Sequence, residues 1–192
     1  MSSRRFPGKV LAPFRGRPII WHVLDRIERA LPELPRVVLT STDPSDDPLA
    51  AYLADVGASC FRGPLDDVVS RFQLAAKQYR AAYILRICAD SPLLDERVLW
   101  AVVAAHDPAL DLVTTTAPRT FPKGHNAELI NAASLAVVDG LDAMDREHVT
   151  RVFHRQPQRF KLKNVESGDP SLAELELAID TVEDLHRLEQ TA

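Results

Sequence analysis

The sequence predicts an α/β fold in which a mostly parallel sheet carries helices on both faces. Short apolar or β-branched runs alternate with segments whose apolar residues recur at helical spacing. Residues 82–88 form a nearly continuous apolar run, which is typical of a strand covered on both faces. The chain has 192 residues, of which 46% are hydrophobic and 26% are charged, so it can build one domain with a substantial core.

Helices and strands alternate regularly in the first half of the chain. Helical spacing of apolar residues predicts a helix over residues 20–31, and Pro18 stands where its first turn begins. A β-branched run predicts a strand over residues 36–41, which a turn at residues 42–44 ends. Three further elements are a helix at residues 47–56 with Gly57 at its end, a strand at residues 58–62 and a helix at residues 65–79.

The second half begins with the strand at residues 82–88 and becomes less regular after residue 115. A helix over residues 96–105 and a strand over residues 111–115 complete the alternation. The later predictions are strands at residues 126–131, 160–165 and 175–179, and helices at residues 132–144, 146–156 and 181–189. Thr181 and Asp184 have the spacing of a capping box at the start of the last helix.

Composition and charge exclude several classes of protein. Cys60 and Cys88 lack the spacing of a zinc ribbon or a disulfide scaffold, and they fit a reducing cytoplasm. The net charge of -4 offers no basic surface for nucleic acid. No apolar stretch approaches a membrane span, and residues 4–9 do not lead into a signal-peptide core. We therefore expect a cytoplasmic protein without nucleic-acid or membrane partners, and a homodimer is one of the assembly states that the sequence leaves open.

Polar residues at strand ends are the first candidates for a site, because ligands bind beyond the carboxyl ends of the strands in such sheets. Residues 41–43, 86–90 and 180–181 fulfil this condition. A fourth candidate is residues 2–9, which combine three cations, two hydroxyls and a glycine before the first helix. That combination suits a polyphosphate, and a frayed basic terminus is the alternative.

Five stretches of the sequence match, in order and spacing, the motifs of one known family. They are residues 3–11 (Ser-Arg-Arg-Phe-Pro-Gly-Lys-Val-Leu), 61–72 (Phe-Arg-Gly, then Asp-Asp-Val and Arg-Phe), 86–93 (Arg-Ile-Cys-Ala-Asp-Ser-Pro-Leu), 146–150 (Arg-Glu-His-Val-Thr) and 180–184 (Asp-Thr-Val-Glu-Asp). The chain thereby resembles the cytidylyltransferases that activate acidic sugars, which include the CMP-sialic acid and CMP-Kdo synthetases. It resembles most closely the branch that serves spore-coat polysaccharide.

The resemblance implies a Rossmann-like fold of the nucleotide-diphospho-sugar transferase type, with residues 1–192 forming a single nucleotidyltransferase domain. It also implies an Mg²⁺-dependent enzyme that transfers a cytidylyl group from CTP to an acidic or modified sugar for surface polysaccharide. Pyrophosphate leaves in that reaction. Negative charge builds on the leaving group, so the site needs cations and a metal.

The resemblance assigns roles to particular residues. Arg5 and Lys9 are the implied catalytic cations on the β- and γ-phosphates, with Ser3 and the Gly8 backbone as further donors. The implied Mg²⁺ ligands are Asp90 and Asp180. The remaining implied contacts are Ser41, Thr42, Arg62 and Arg71 for the nucleotide, and Asn126, Glu128 and His148 for the sugar.

Several of these residues also have a purely structural interpretation. Asp90 could be a helix N-cap or turn residue before Pro92, and Asp180 could be a strand-end turn. Both Arg62 and Arg71 also fit as solvated or ion-paired surface residues. A histidine on a helix, such as His148, is often a structural polar contact.

The sequence departs from the family pattern at three positions. Cys88 and Ala89 stand where the family has Thr-Gly, and the methyl group of Ala89 could crowd a backbone approach that glycine permits. Asn126 replaces an aspartate and loses its charge. Two alternatives to the cytidylyltransferase therefore stay open: a non-catalytic paralogue, and a nucleotide-sugar-dependent glycosyltransferase, although the sequence has no Asp-x-Asp triplet.

The resemblance finally implies an element that the sequence does not contain. In the family, the loop that matches residues 3–11 begins with Arg-Met-x-Ser and follows a first strand that is central in the sheet. Met1 falls at the internal methionine of that loop, so the strand and the arginine before it are both absent. We therefore expect that the first strand is missing and that the domain is N-terminally truncated relative to the family. Each backbone group left buried and unpaired would cost about 1–3 kcal/mol.

Overall fold

The computed structural model describes residues 5–191, and it begins with two small elements that the sequence analysis did not predict. A 3₁₀ turn at Lys9–Leu11 is followed by an antiparallel ribbon of β1 (Pro13–Phe14) and β2 (Arg17–Pro18). Helix α1 (Ile19–Ala30) starts directly after Pro18, as predicted, because proline has the backbone angle that a helix start needs. The ribbon thus leads directly into α1, whose first residues Ile19, Ile20 and Val23 are buried.

The remaining elements follow in the predicted order through most of the chain. The strands are β3 (Val38–Ser41), β4 (Cys60–Gly63), β5 (Tyr83–Ile87), β6 (Leu112–Thr114), β7 (Ala127–Asn131) and β8 (Leu162–Asn164). The longer helices are α2 (Asp47–Asp55), α3 (Val68–Tyr79), α4 (Glu96–Ala104) and α8 (Val182–Gln190), and the short ones are α5 (Ala132–Ala136), α6 (Ala143–Glu147) and α7 (Arg151–Arg155). Within residues 5–191, no helix combines the length and the apolar character that crossing a bilayer requires.

The strands form two sheets besides the small ribbon. Strands β3 and β4 pair in parallel, and the larger sheet has the order β5-β7-β6-β8. In the larger sheet β7 is antiparallel to both neighbours, whereas β6 and β8 are parallel. The predicted α/β class is confirmed. Strands β5, β6 and β8 all run in one direction, which is the sense in which the sheet is mostly parallel, and β7 runs the opposite way and makes the sheet mixed.

Helices cover both faces, and α1 and α3 each reach across the two sheets. Ile20 and Leu24 of α1 pack with Val38 of β3, while the other end of α1 packs against β5. On the opposite face, α3 packs against β3, β4 and Ile84 of β5. One edge of β3 and one edge of β5 therefore lie beneath the same two helices, and no described strand pairs with either edge.

The structure differs from the predicted elements after residue 131. The predicted helix at residues 132–144 ends at Ala136, because Gly140 has a φ of 59° and Asp142 starts a new helix with a capping box. The predicted helix at residues 146–156 is divided between α6, which ends at Glu147, and α7, which begins at Arg151. The predicted strand at residues 175–179 is wrong: its backbone bonds go to loop residues, so it makes a single isolated bridge.

Candidate active site

Two aspartates meet at the carboxyl edge of the larger sheet. Asp90 lies three residues after the end of β5, and Asp180 lies just before α8. The backbone N–H of Ile179 donates to the carbonyl oxygen of Asp90 at 2.9 Å, which ties the two segments together. Thr181 caps α8 with its hydroxyl, as predicted, so the helix does not need the carboxylate of Asp180 as its cap. The protein backbone therefore holds the two carboxylates side by side.

The ammonium group of Lys9 lies between these carboxylates. Its Nζ is 2.7 Å from Asp90 Oδ2 and 2.9 Å from Asp180 Oδ1. Gly8 precedes it with a φ of 73°, a left-handed conformation that glycine adopts without strain. Burial works against the charge, but Asp90 and Asp180 outweigh it and raise the pKa of Lys9 above its ordinary value. The ammonium is thus a fixed positive charge at the site.

Asp180 has cations on both of its carboxylate oxygens. The guanidinium of Arg5 lies 3.0 Å from Oδ1, and the ammonium of Lys123 lies 3.1 Å from Oδ2. Burial favours the neutral acid, but hydrogen bonds from Lys9 and Lys123 outweigh it and lower the pKa of Asp180 to about 2. The structure thus unites Arg5, Lys9, Asp90 and Asp180, while Ser3 lies outside the described residues.

Lys123 is a charged residue of this cluster that the sequence analysis missed. Its N–H donates to the carbonyl oxygen of Leu175 at 2.9 Å, and its own carbonyl accepts from Leu177 at 2.7 Å. The next residue, Gly124, has a φ of 105°, and a side chain there would meet the Leu177 backbone at 2.6 Å. A signal was present in the sequence, because a glycine after a basic residue in a loop can mark such a close backbone approach.

The paired carboxylates offer two oxygen ligands to a divalent metal ion. Within the described part of the chain, no group of three or more His, Cys, Asp and Glu side chains could hold a metal. Asp90 and Asp180 supply two carboxylates, and Mg²⁺ is usually bound by one or two carboxylates with phosphate and water in the other positions. These two residues would hold the ion.

The predicted nucleotide contacts Ser41 and Thr42 lie at the end of β3, where Ser41 also donates to the carboxylate of Asp46. Asp46 is 3% exposed and accepts hydrogen bonds from the Ser41 N–H at 2.7 Å and the Thr40 hydroxyl at 2.6 Å. Burial favours its neutral form, but hydrogen bonds that include these hold the pKa of Asp46 well below its ordinary value. The N–H of Thr42 donates to Gly63 of β4. This strand end is therefore rigid.

The two arginines predicted to contact the nucleotide hold loops in this structure. Arg62 donates to the Ser41 carbonyl at 2.7 Å and to the Asp47 carboxylate at 2.7 Å. Arg71 donates twice to the Pro64 carbonyl, at 2.6 and 3.0 Å. Both side chains thus fix the backbone at the ends of β3 and β4.

The three predicted sugar contacts have different surroundings. Glu128 is 3% exposed and pairs with Arg86, so it belongs to the interior. The side-chain oxygen of Asn126 accepts from Arg119 at 2.6 Å. His148 is exposed at the end of α6, and no hydrogen bond found within residues 5–191 joins it to Asn126 or Glu128.

The residues that depart from the family pattern have packing roles. Cys88 is half-buried, and burial raises the pKa of its thiol above the ordinary value, in agreement with a small apolar residue. The methyl group of Ala89 packs in a cluster with Val10 and Leu11, the residues that follow Lys9. Ala89 therefore supports the loop that carries the Lys9 ammonium.

Comparisons with known proteins identify the family of this chain. A sequence model of the Cytidylyltransferase family matches residues 1–191. The chain is 30% identical to the spore coat polysaccharide biosynthesis protein SpsF of Bacillus subtilis, over 96% of this chain and 79% of SpsF. It is 29% identical to the 3-deoxy-manno-octulosonate cytidylyltransferase of Anaeromyxobacter sp. (strain K), over 72% of this chain and 57% of that enzyme.

A solved structure supports the same relationship. The structure of a cytidylyltransferase from Leptospira borgpetersenii superposes with a TM-score of 0.90 at 28% identity, and the match covers 98% of this chain and 81% of that one. The sequence motifs, the fold and the paired carboxylates with their cations lead to one assignment: the chain belongs to the cytidylyltransferase family.

Proposed function

We propose that this protein transfers a cytidylyl group from CTP to a hydroxyl of an acidic sugar, with Mg²⁺, and supplies the product to surface polysaccharide synthesis in the cytoplasm. The observation that carries the proposal is the meeting of Arg5, Lys9 and Lys123 with Asp90 and Asp180 at one edge of the sheet. The names of the related SpsF and 3-deoxy-manno-octulosonate cytidylyltransferase support the polysaccharide and sugar-acid parts.

In this proposal, the cations of the N-terminal loop bind the triphosphate. The Arg5 side chain is 63% exposed and can turn toward a ligand, whereas the Lys9 side chain is 13% exposed and lies against the carboxylates. Together they neutralise the charge that builds on pyrophosphate as it leaves.

The paired carboxylates would hold the magnesium ion. When bound, the ion polarises the α-phosphate and neutralises its charge as the acceptor hydroxyl attacks. Asp90 and Asp180 are held by the backbone bond between Ile179 and Asp90, so their separation is fixed before the substrates arrive. Preorganised charge of this kind lowers the barrier of the chemical step.

Lys123 is the proposed contact for the acceptor's carboxylate. An in-line displacement places the attacking and leaving oxygens on opposite sides of the phosphorus. Lys9 and Arg5 lie at Oδ1 of Asp180, whereas Lys123 lies at Oδ2. The partner Glu176 is 54% exposed, so its ion pair with Lys123 is weak and a bound carboxylate can replace it. Asn126, in the loop that follows, would contact a sugar hydroxyl.

The base and the interior of the sugar pocket depend on the rigid strand ends. We propose that Ser41, Thr42, Arg62 and Arg71 form the wall that receives cytosine, and that Glu128 shapes the sugar side from within the sheet. His148 is the outermost of the proposed sugar contacts, because it is exposed at the end of α6.

The proposal is tested by pyrophosphate release from CTP in the presence of Mg²⁺ and a panel of sugar acids. The panel contains 3-deoxy-manno-octulosonate and N-acetylneuraminate, each beside its methyl ester. We expect release with a free acid and not with its ester, and a smaller rate with ATP or GTP than with CTP. Release with neutral acceptors alone would refute the sugar-acid assignment.

A further inference from the structure

The position of the Lys9 ammonium coincides with the place where an ion held by both aspartates would lie. The nitrogen is 2.7 Å from Asp90 Oδ2 and 2.9 Å from Asp180 Oδ1, and the side chain is 13% exposed. These distances are those of charge-assisted hydrogen bonds, so the ammonium links the two carboxylates directly. Lys9 is their resident counter-ion.

Hydrogen bonds that do not involve Lys9 also hold the two aspartates. The Ile179 N–H donates to the Asp90 carbonyl at 2.9 Å, and the Asp180 N–H donates to the Asp184 carboxylate at 3.1 Å. The Ser91 hydroxyl donates to Asp90 Oδ1 at 3.3 Å. Because these bonds fix the segments that carry both carboxylates, the carboxylates stay paired when the ammonium leaves.

A magnesium ion and the Lys9 ammonium cannot share this gap. Mg²⁺ lies about 2.0–2.1 Å from its oxygen ligands, so a bridging ion would stand almost where the Lys9 nitrogen stands. Two positive centres at such a distance repel strongly in a partly buried site. The triphosphate brings oxygens that can accept the displaced ammonium.

We propose that Lys9 and the divalent cation exchange places at Asp90 and Asp180, and that the triphosphate receives the displaced ammonium. The inference rests on the proposed function, because it takes CTP as the ligand. In the free protein Lys9 competes with the metal, and nucleotide removes the competitor. Metal and nucleotide therefore bind as one unit, and the metal alone binds weakly.

The exchange is tested by titrating the 192-residue protein with Mn²⁺ in the absence of nucleotide, with free Mn²⁺ followed by electron paramagnetic resonance. We expect Lys9→Met to bind Mn²⁺ at least about tenfold more tightly than the wild type, because a competing positive charge is gone. Lys9→Arg keeps a cation between the aspartates and should show no gain. Lys77→Met, on the exposed face of α3, is the matched control and should behave as the wild type.

Two further variants complete the test. The double variant Lys9→Met with Asp180→Asn should lose the gain, because the Mn²⁺ site needs both carboxylates. Lys9→Gln, a second neutral variant, repeats the measurement if Lys9→Met does not fold, as judged by circular dichroism. Equal Mn²⁺ affinity in the wild type and in the folded neutral variant would overturn the exchange.

The outcome for the exchange is separate from the outcome for the proposed function. Wild-type pyrophosphate release from CTP with no Mn²⁺ gain in Lys9→Met would refute the exchange and leave the function standing. A clear gain in a protein that releases no pyrophosphate with any sugar acid would establish the ion competition and refute the function.

Discussion

Arg86 donates a hydrogen bond to the carboxylate of Glu128 at 2.5 Å, and the two residues face each other across β5 and β7. The second oxygen of Glu128 accepts from the Thr150 hydroxyl at 2.8 Å. Glu128 is 3% exposed, so this carboxylate has exchanged water for partners in the protein. The pair links β5, which leads to Asp90, with the segment after α6. The Arg86–Glu128 pair therefore stabilises the interior of the sheet behind the site.

Replacing Glu128 by alanine should destabilise the protein by about 3–5 kcal/mol, because it leaves the Arg86 charge in the interior without its partner. Glu128→Gln retains the shape and should cost less. Urea unfolding followed by circular dichroism measures both. If the alanine variant were as stable as the wild type, Arg86 would have to find water or another acceptor.

Asp90→Asn should reduce pyrophosphate release at least about a thousandfold, because the amide lacks the anionic oxygen that Mg²⁺ prefers. The melting temperature should change by no more than about 2–4 °C, since the volume is conserved. Asp55→Asn at the exposed end of α2 is the matched control, and it should retain full turnover. A fully active Asp90→Asn variant would show that Asp90 is only a turn residue.

Lys123→Met should raise the KM for a sugar acid by about tenfold or more, because one charged hydrogen bond to the acceptor is lost. The KM for CTP should change little, and the preference for a free acid over its methyl ester should shrink. Steady-state kinetics with both acceptors measure this split, with Lys77→Met as the control. An unchanged acid preference would remove Lys123 from the acceptor site.

Stability should fall in acid through Asp180. Its pKa is about 2 in the folded protein, against about 4 for an unfolded aspartate. The folded state therefore binds fewer protons, so the contribution of about 2 kcal/mol is fully present above pH 4 and is lost as the pH falls toward 2. Urea unfolding at several pH values should show a smaller acid loss in Asp180→Asn. Equal pH dependence in the two proteins would contradict the assignment.

The sequence carries enough information to predict the order of helices and strands between residues 19 and 131, because apolar residues there recur with helix or strand spacing. After residue 131 the apolar residues keep helical spacing although the chain turns. Leu135 of α5, Val149 between α6 and α7, and Phe153 of α7 all enter one core cluster. Apolar spacing indicates which residues are buried, whereas the break between α5 and α6 depends on Gly140 and on the cap at Asp142.

Motifs predicted the centre of the candidate site but not its periphery. Arg5, Lys9, Asp90 and Asp180 lie in two motif stretches at the ends of the chain and one in the middle, and the structure brings them together. Lys123 belongs to no motif, and it reaches Asp180 only because two loops pair backbone to backbone. Such a loop contact has no periodicity in the sequence.

The edges of β3 and β5 with which no strand within residues 5–191 pairs have a consequence for how the protein behaves in concentrated solution. A strand edge with unpaired N–H and C=O groups is a template on which another extended chain can add. The residues of β5 are half-buried although helices flank the strand, so apolar surface accompanies this edge. We expect light scattering to reveal association that grows with concentration and time. Storage of dilute samples, or a short extended peptide added as a competitor, should suppress it.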